Sequence, residues 1–342
     1  MKSDARTANT SASIATAFTR QVGIEVPLIC GAMYPCSNPE LVAAASEAGA
    51  IGVVQPISLT YVHGHEYRAG LKLIRSLTSK PIGLNALIEQ SSRIYRERME
   101  KWIEIALEEG VRFFVTSLGN PKWVVQRVES VGGVVYHDVT ERKWAQKAVD
   151  GGVHGLIAVN ARAGGHAGTK SAEALLAEVR DFGLPVICAG GIGGGASFAA
   201  ILGMGYAGAQ LGTRFIATTE CIASDAYKRA IIKAGADDIV LTERITGVPV
   251  AVIRTPFIER MGTTVGPFAR KLFRWRRTKH WMRSYYALRA LRQLKKSSLD
   301  EKADYWQAGK SVAEINEIEP VAQIVRELAA AAAAVSRDQS TA

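Results

Sequence analysis

The chain has 342 residues, 48% of them hydrophobic and 22% charged, a balance that fits a folded protein and excludes a disordered one. The formal net charge of +10 lies wholly in residues 261–300, which hold Arg270, Lys271, Arg274, Arg276, Arg277, Lys279, Arg283, Arg289, Arg292, Lys295 and Lys296 against Asp300 alone. The rest of the chain balances to zero, so the pI of about 9.5 does not by itself point to nucleic acid.

Residues 1–22 are polar and lack the apolar run of a secretory signal, and are expected to be a flexible lead-in. Cys30, Cys36, Cys188 and Cys221 form no CxxC pair and fit buried free thiols. No stretch reaches the ~18 apolar residues of a membrane span, and a cytoplasmic protein is expected.

Eight short apolar runs follow in series: Pro27–Gly31, Ile51–Val54, Ile82–Ala86, Phe113–Ser117, Val134–Asp138, Gly155–Asn160, Val186–Ala189 and Ala207–Leu211. They are near-continuously apolar, as parallel strands covered on both faces are. The segments between them read as helices: Pro39–Ala48, Tyr67–Ser79, Arg93–Glu109, Pro121–Ser130, Glu141–Asp150, Ser171–Phe182 and Ala196–Leu202. Asn38-Pro39 reads as an N-cap with proline at the first helical position. Eight strand–helix units predict an α/β fold, a (β/α)8 TIM barrel, over residues 23–238. Residues 239–300 read as an extended segment followed by a basic helical insertion or lid. Residues 301–342 read as a helical segment, over Lys302–Glu327, and a disordered tail.

Barrel sites lie at the C-terminal ends of the strands. There, Gly190-Gly191 after strand seven and Gly212-Thr213 after strand eight expose backbone N–H groups that suit a phosphate. Gly193-Gly194-Gly195 opens the next helix and adds its dipole. The loose GxGxxA match at Gly191–Ala196 is discounted, because no acid ends the following strand to hold a ribose. After strand six, His166 sits among small residues in Ala163-Gly164-Gly165-His166-Ala167-Gly168, displayed for proton transfer near neutrality. His137, at the end of strand five, reads equally as a second catalytic group or as a core histidine. The six histidines show no metal-ligand spacing, and no metal is expected.

These residues carry a resemblance. Ala32-Met33, Asn85, the Gly164–Gly168 loop, Gly190-Gly191-Ile192 and Gly212-Thr213-Arg214-Phe215 together make the chain similar to the nitronate monooxygenases. That family is related to flavin-dependent enoyl-ACP reductases of the FabK type. The likeness runs from about Pro27 to Ala217, with an echo at Ala308–Val312. It implies FMN as cofactor, with Ala32, Met33, Asn85 and Gly165 along the flavin and Gly190, Gly191, Gly212 and Thr213 at its phosphate. It implies His166 as the catalytic base, which would remove a proton α to a nitro group, or as the group that orients the substrate. Oxidation of a nitroalkane or alkyl nitronate with O2 to a carbonyl compound and nitrite is the first expectation. An NAD(P)H-dependent FMN reductase acting on an enoyl thioester of CoA or ACP, or on a quinone, is the second. A non-redox barrel that binds a phosphate ligand is the third. The chain departs from the family pattern at Ala32, where a proline is usual, and at Gly309-Lys310.

In the basic segment Met282, Tyr285, Leu288, Leu291 and Leu294 recur every third residue, an apolar helical face ringed by cations. It reads as an appendage packed on the barrel, or as a rim that attracts an anionic small-molecule substrate. Weak contact with an anionic membrane surface through 265–298 is a further reading. So is an oligomer contact, with a homo-oligomer as the form, or an acidic partner. Nucleic acid is not expected as a partner.

Overall fold

The computed structural model describes residues 14–89, 93–265 and 294–340. Eight parallel strands, β1 (Leu28–Cys30), β2 (Ile51–Val54), β3 (Ile82–Ile88), β4 (Phe113–Leu118), β5 (Val134–Val139), β6 (Gly155–Val159), β7 (Val186–Ala189) and β8 (Gly208–Leu211), close into a barrel in chain order. Closure comes from β1 pairing with β8, Ile29 beside Gln210. Helix α1 (Ala17–Val22) precedes the barrel; α2 (Pro39–Glu47), α3 (Tyr67–Leu77), α4 (Arg93–Glu108), α5 (Lys122–Glu129), α6 (Arg142–Asp150), α7 (Ala172–Val179) and α8 (Gly195–Gly203) separate the strands. After β8 come α9 (Thr213–Ile216), α10 (Asp225–Lys233), a hairpin of β9 (Ile239–Thr242) and β10 (Val250–Ile253), α11 (Pro256–Met261), and α12 (Val321–Ser340). The eight-stranded barrel read from the sequence is the fold.

Side chains alternate along each strand between the lumen and the helical shell. Ile29, Ile51, Val53, Phe113, Val115, Tyr136, Ile157, Ile187 and Ala189 pack together as the lumen core. Gly155 makes room for it, since a Cβ there would lie 2.3 Å from the Tyr136 ring.

The lead-in is not flexible throughout. Thr16 caps α1 in a capping box with Thr19, and Gly23 ends the helix with φ of 75°. Phe18 is fully buried, 5.7 Å from the Phe113 ring and 5.4 Å from that of Tyr136. The Tyr136 hydroxyl donates to Gln21 Oε1 at 2.7 Å. Helix α1 therefore plugs the N-terminal end of the barrel and leaves the C-terminal end for chemistry.

The C-terminal region also differs from expectation. Residues 302–320 are irregular apart from a 3-10 turn at Lys310–Glu314, and the helix runs from Val321 to Ser340 where a disordered tail was expected. Ala332 and Ala333 are buried, and Gly195 admits α12, because a Cβ there would lie 2.6 Å from the Ala331 Cβ. The alanine run thus packs closely on α8. Residues 305–309 run beside β10, with Ile253 N–H donating to Trp306 at 2.9 Å. Most of the basic helical insertion lies outside the described residues. Its described ends are Val265, whose N–H donates to Glu243 at 3.4 Å, and Leu294, which is buried against Ile245, Val250, Val252 and Tyr305.

Candidate active site

Asn160, at the end of β6, organises the glycine–histidine loop. Its Nδ2 donates to the Gly190 carbonyl at 2.9 Å, and its Oδ1 accepts from Arg162 N–H at 2.8 Å. Its own carbonyl accepts from Gly168 N–H at 3.2 Å. The loop after β6 is thereby tied to the turn after β7. From outside the barrel, Ala251 N–H donates to the Gly165 carbonyl at 2.8 Å, and Lys310 N–H to that of Arg162 at 2.9 Å. Gly165 has φ of 65°, and a Cβ there would meet nothing within 4 Å. His166, the next residue, is exposed to solvent on one side. Its neighbours on the other side still remove enough water to lower its pKa, so it is a neutral base at pH 7.

Gly190 and Gly191 take φ of 116° and 80°. A Cβ on Gly190 would lie 2.5 Å from the Ala163 N–H group, so only glycine allows the loops after β6 and β7 to approach so closely. Across the barrel seam, a Cβ on Gly212 would meet only the Met33 side chain, at 3.4 Å from its sulfur. The loops after β1 and β8 therefore share one wall. Thr213 is buried, and its hydroxyl accepts from Gly309 N–H at 3.0 Å. This contact explains the sequence echo at Ala308–Val312: that stretch is built against the turn after β8.

Two neighbouring groups do not serve a phosphate. The Ser197 hydroxyl accepts from Gly193 N–H at 3.3 Å and lies 2.7 Å from Glu314 Oε2, so the N-terminus of α8 already faces a carboxylate. The guanidinium of Arg214 is buried in an ion pair with Glu319 and also donates to the Glu317 carbonyl at 3.0 Å. A cavity of about 180 Å³ beside them is lined by Glu314, Glu317, Glu319 and Glu327, which repel an anion. The backbone that could meet a phosphate is that of Gly190-Gly191 and Gly212-Thr213, with the Arg162 side chain packed on Gly191.

Strand register assigns the remaining candidates. Asn85 lies beside Val115, a lumen residue, and presents a buried amide to the mouth. His137 does not reach the mouth. It lies beside Thr116 and Leu156, and Leu156 packs in the outer core; its Nδ1 is 2.8 Å from the Thr116 hydroxyl, and burial lowers its pKa to about 4. It is a core histidine, and the catalytic expectation for it is withdrawn. The next residue, Asp138, lies beside the lumen residue Ile157 near the mouth. One of its carboxylate oxygens is buried with no hydrogen-bond partner among the described residues. The sequence sets Asp138 beside His137 at the end of strand five but assigns it no role, because both faces of β5 are largely apolar and parity alone does not say which face is inside.

Ala32 packs against the lumen core and Met33 against the outer core, both just after β1. With Asn85, Gly212 and Thr213 they form a mouth lined by backbone and small polar groups on one side. Asp138 and the His166 loop stand on neighbouring strand ends across from them. Met33 and Asn85 could flank a flat ring there, and the backbone of the turns after β7 and β8 could meet a phosphate tail.

A barrel closed at its N-terminal end, with an imidazole and glycine turns gathered at the other, is an enzyme architecture. The chain belongs to the nitronate monooxygenase family, whose model matches residues 15–331, and it is an oxidoreductase. It is 32% identical over 250 residues, 72% of this chain and 68% of the relative, to the (3aS,4S,5R,7aS)-5-hydroxy-7a-methyl-1-oxo-octahydro-1H-indene-4-carboxyl-CoA dehydrogenase of Mycobacterium tuberculosis. It is 28% identical over 273 residues, 67% of this chain and 77% of the relative, to the nitronate monooxygenase of Pseudomonas aeruginosa. Among solved structures, FabK of Thermotoga maritima superposes with a TM-score of 0.75 and 27% identity, over 96% of this chain and 99% of that one.

Proposed function

We propose that this protein is an FMN-dependent oxidoreductase acting on an acyl thioester of CoA or an acyl carrier, with NAD(P)H as the electron partner. The observation that carries the reading is the position of the charge. The body of the chain is neutral and the +10 lies in residues 261–300, whose described end at Leu294 and Lys295 packs beside the loops after β1 and β2. Leu294 and Val250 pack in one cluster with Tyr34, which follows β1, and Lys295 Nζ donates to the Tyr61 carbonyl after β2 at 3.0 Å. A phosphate-bearing carrier is the small-molecule partner such a charge attracts. The CoA dehydrogenase at 32% identity supports the same substrate class.

In this reading the turns at Gly190-Gly191 and Gly212-Thr213 hold the FMN phosphate, and Ala32, Met33, Asn85 and Gly165 flank its ring. Bound there, the flavin supplies two-electron redox chemistry. His166 supplies a neutral imidazole that takes or returns the substrate's α-proton, and the Ala251–Gly165 hydrogen bond fixes the loop that carries it.

The test compares crotonyl-CoA with the crotonyl thioester of N-acetylcysteamine, which lacks the nucleotide anion. The KM for crotonyl-CoA is expected to be at least ~10-fold lower at low salt, the gap narrowing as salt screens the charge. Equal KM values at low salt contradict the reading. Nitronate oxidation is the second reading, favoured by the displayed, neutral His166. Nitrite release from propyl-2-nitronate, with no turnover of crotonyl-CoA, selects it.

A further inference from the structure

We propose that Asp138 is a specificity-determining residue of the mouth: protonated, it donates a hydrogen bond to a substrate's carbonyl oxygen, and ionised, it repels an anionic headgroup. The proposal rests on the thioester reading for the identity of that carbonyl, but the selection against anions stands independently of it.

The geometry comes first. Asp138 lies near the C-terminal end of β5, in register with Ile157 of β6, which belongs to the lumen core. Thr116 lies beside His137, so the next residue of β4, Ser117, lies beside Asp138. Tyr136 lies one layer below on the same face, and its hydroxyl is engaged by Gln21. The neighbours of Asp138 on both adjoining strands are thus uncharged. Among the described residues, the loop after β6 brings the ionisable groups of Arg162, whose side chain packs on Gly191, and His166 to this end of the barrel. One Asp138 oxygen is fully buried and has no hydrogen-bond partner among the described residues.

A buried polar atom without a partner is destabilising. Proteins keep such atoms where a ligand supplies the partner. With no cation beside it among the described residues, the carboxyl is displaced upward by burial, to about 7. It is therefore largely an acid just below neutral pH and can donate an O–H. His166 and Asp138 are displaced in opposite senses: the imidazole is neutral and accepts, and below neutral pH the carboxyl holds its proton and donates. A neutral carbonyl matches the donor. A nitronate or carboxylate beside Asp138 is tolerated only while it holds its proton.

The holoenzyme and its Asp138→Asn and Asp138→Leu variants test this. Infrared difference spectra between wild type and Asp138→Asn are expected to show a carboxylic acid C=O band at pH 6 that fades by pH 8.5. Binding of propyl-2-nitronate, followed by the flavin absorption, is expected to weaken at least ~10-fold between pH 6 and 8.5 in wild type and to stay flat in Asp138→Asn. The KM for crotonyl-CoA is expected to be retained in Asp138→Asn, whose amide still donates, and raised at least ~10-fold in Asp138→Leu. No carboxylic acid band, or a nitronate profile unchanged by Asp138→Asn, overturns the proposal. If the band and the nitronate profile hold while crotonyl-CoA is not bound at all, the thioester reading fails and the role of Asp138 stands.

Discussion

The Thr116 hydroxyl and His137 Nδ1 meet at 2.8 Å between the barrel and its helical shell. Strand register points His137 away from the mouth, and this hydrogen bond satisfies it in the core. Thr116→Val should leave His137 Nδ1 buried without its partner, lowering stability by about 1–3 kcal/mol, whereas His137→Leu should cost less, because the Thr116 hydroxyl still donates to the Tyr136 carbonyl at 3.1 Å. The measurement is urea unfolding alongside turnover: Cm should fall and kcat should stay within about twofold, because neither side chain faces the substrate.

Consecutive residues of β5 have opposite pH linkage. Burial lowers His137 to about 4 from its ordinary 6.5, so its contribution is full above pH 6.5 and is lost as pH falls toward 4. Burial raises Asp138 to about 7 from 3.8, so its contribution is full below pH 3.8 and is lost as pH rises toward 7. In wild type the two slopes oppose one another between pH 4 and 6.5. Asp138→Asn should leave the His137 slope unopposed, so that stability climbs over that range, and should be more stable than wild type at pH 8. Thermal unfolding across pH reads both effects.

Gly190 holds the closest approach between the turns after β6 and β7. Gly190→Ala places a Cβ at 2.5 Å from the Ala163 N–H group in a backbone with φ of 116°. The strain, of order 1–3 kcal/mol, should part the two turns and weaken FMN binding at least ~10-fold, measured by flavin fluorescence. Gly205→Ala, at φ of 101° but in open space, is the control and should keep FMN affinity.

Arg214 and Glu319 form a buried pair beneath α12. Glu319→Gln should cost about 3–5 kcal/mol by leaving the guanidinium uncompensated, while Arg214→Met with Glu319→Leu should recover much of it. FMN affinity should change less in the double variant than in Gly190→Ala, because Arg214 serves the C-terminal packing and not the phosphate.

The barrel was legible because its strands are short, apolar and regularly spaced, and the glycine–histidine loop because His166 sits among residues too small to bury it. What stayed hidden depended on register. Val-Val-Tyr-His-Asp-Val in β5 has apolar residues on both faces, so only pairing with β4 and β6 shows that Tyr136 and Asp138 point inward and His137 outward. The α8 N-terminus read as an anion site, but Glu314, more than a hundred residues later, faces it. Helix α1 was hidden by length: six residues carry almost no periodic signal, and Phe18 finds its pocket only once the barrel exists. Asn38 precedes a proline-led helix as expected, yet its amide donates to the Glu220 carbonyl at 2.9 Å and makes no cap hydrogen bond.

The central claim is that the mouth couples FMN to an acyl thioester. The most direct test is the visible spectrum of the purified protein in the absence of oxygen, reduced with NADPH or NADH and then mixed with crotonyl-CoA. The account predicts a flavin spectrum that bleaches on reduction and returns on adding the thioester, with His166→Ala retaining FMN but returning at least ~10² more slowly. A colourless protein that does not take up FMN, or a reduced flavin that crotonyl-CoA leaves bleached, would contradict it.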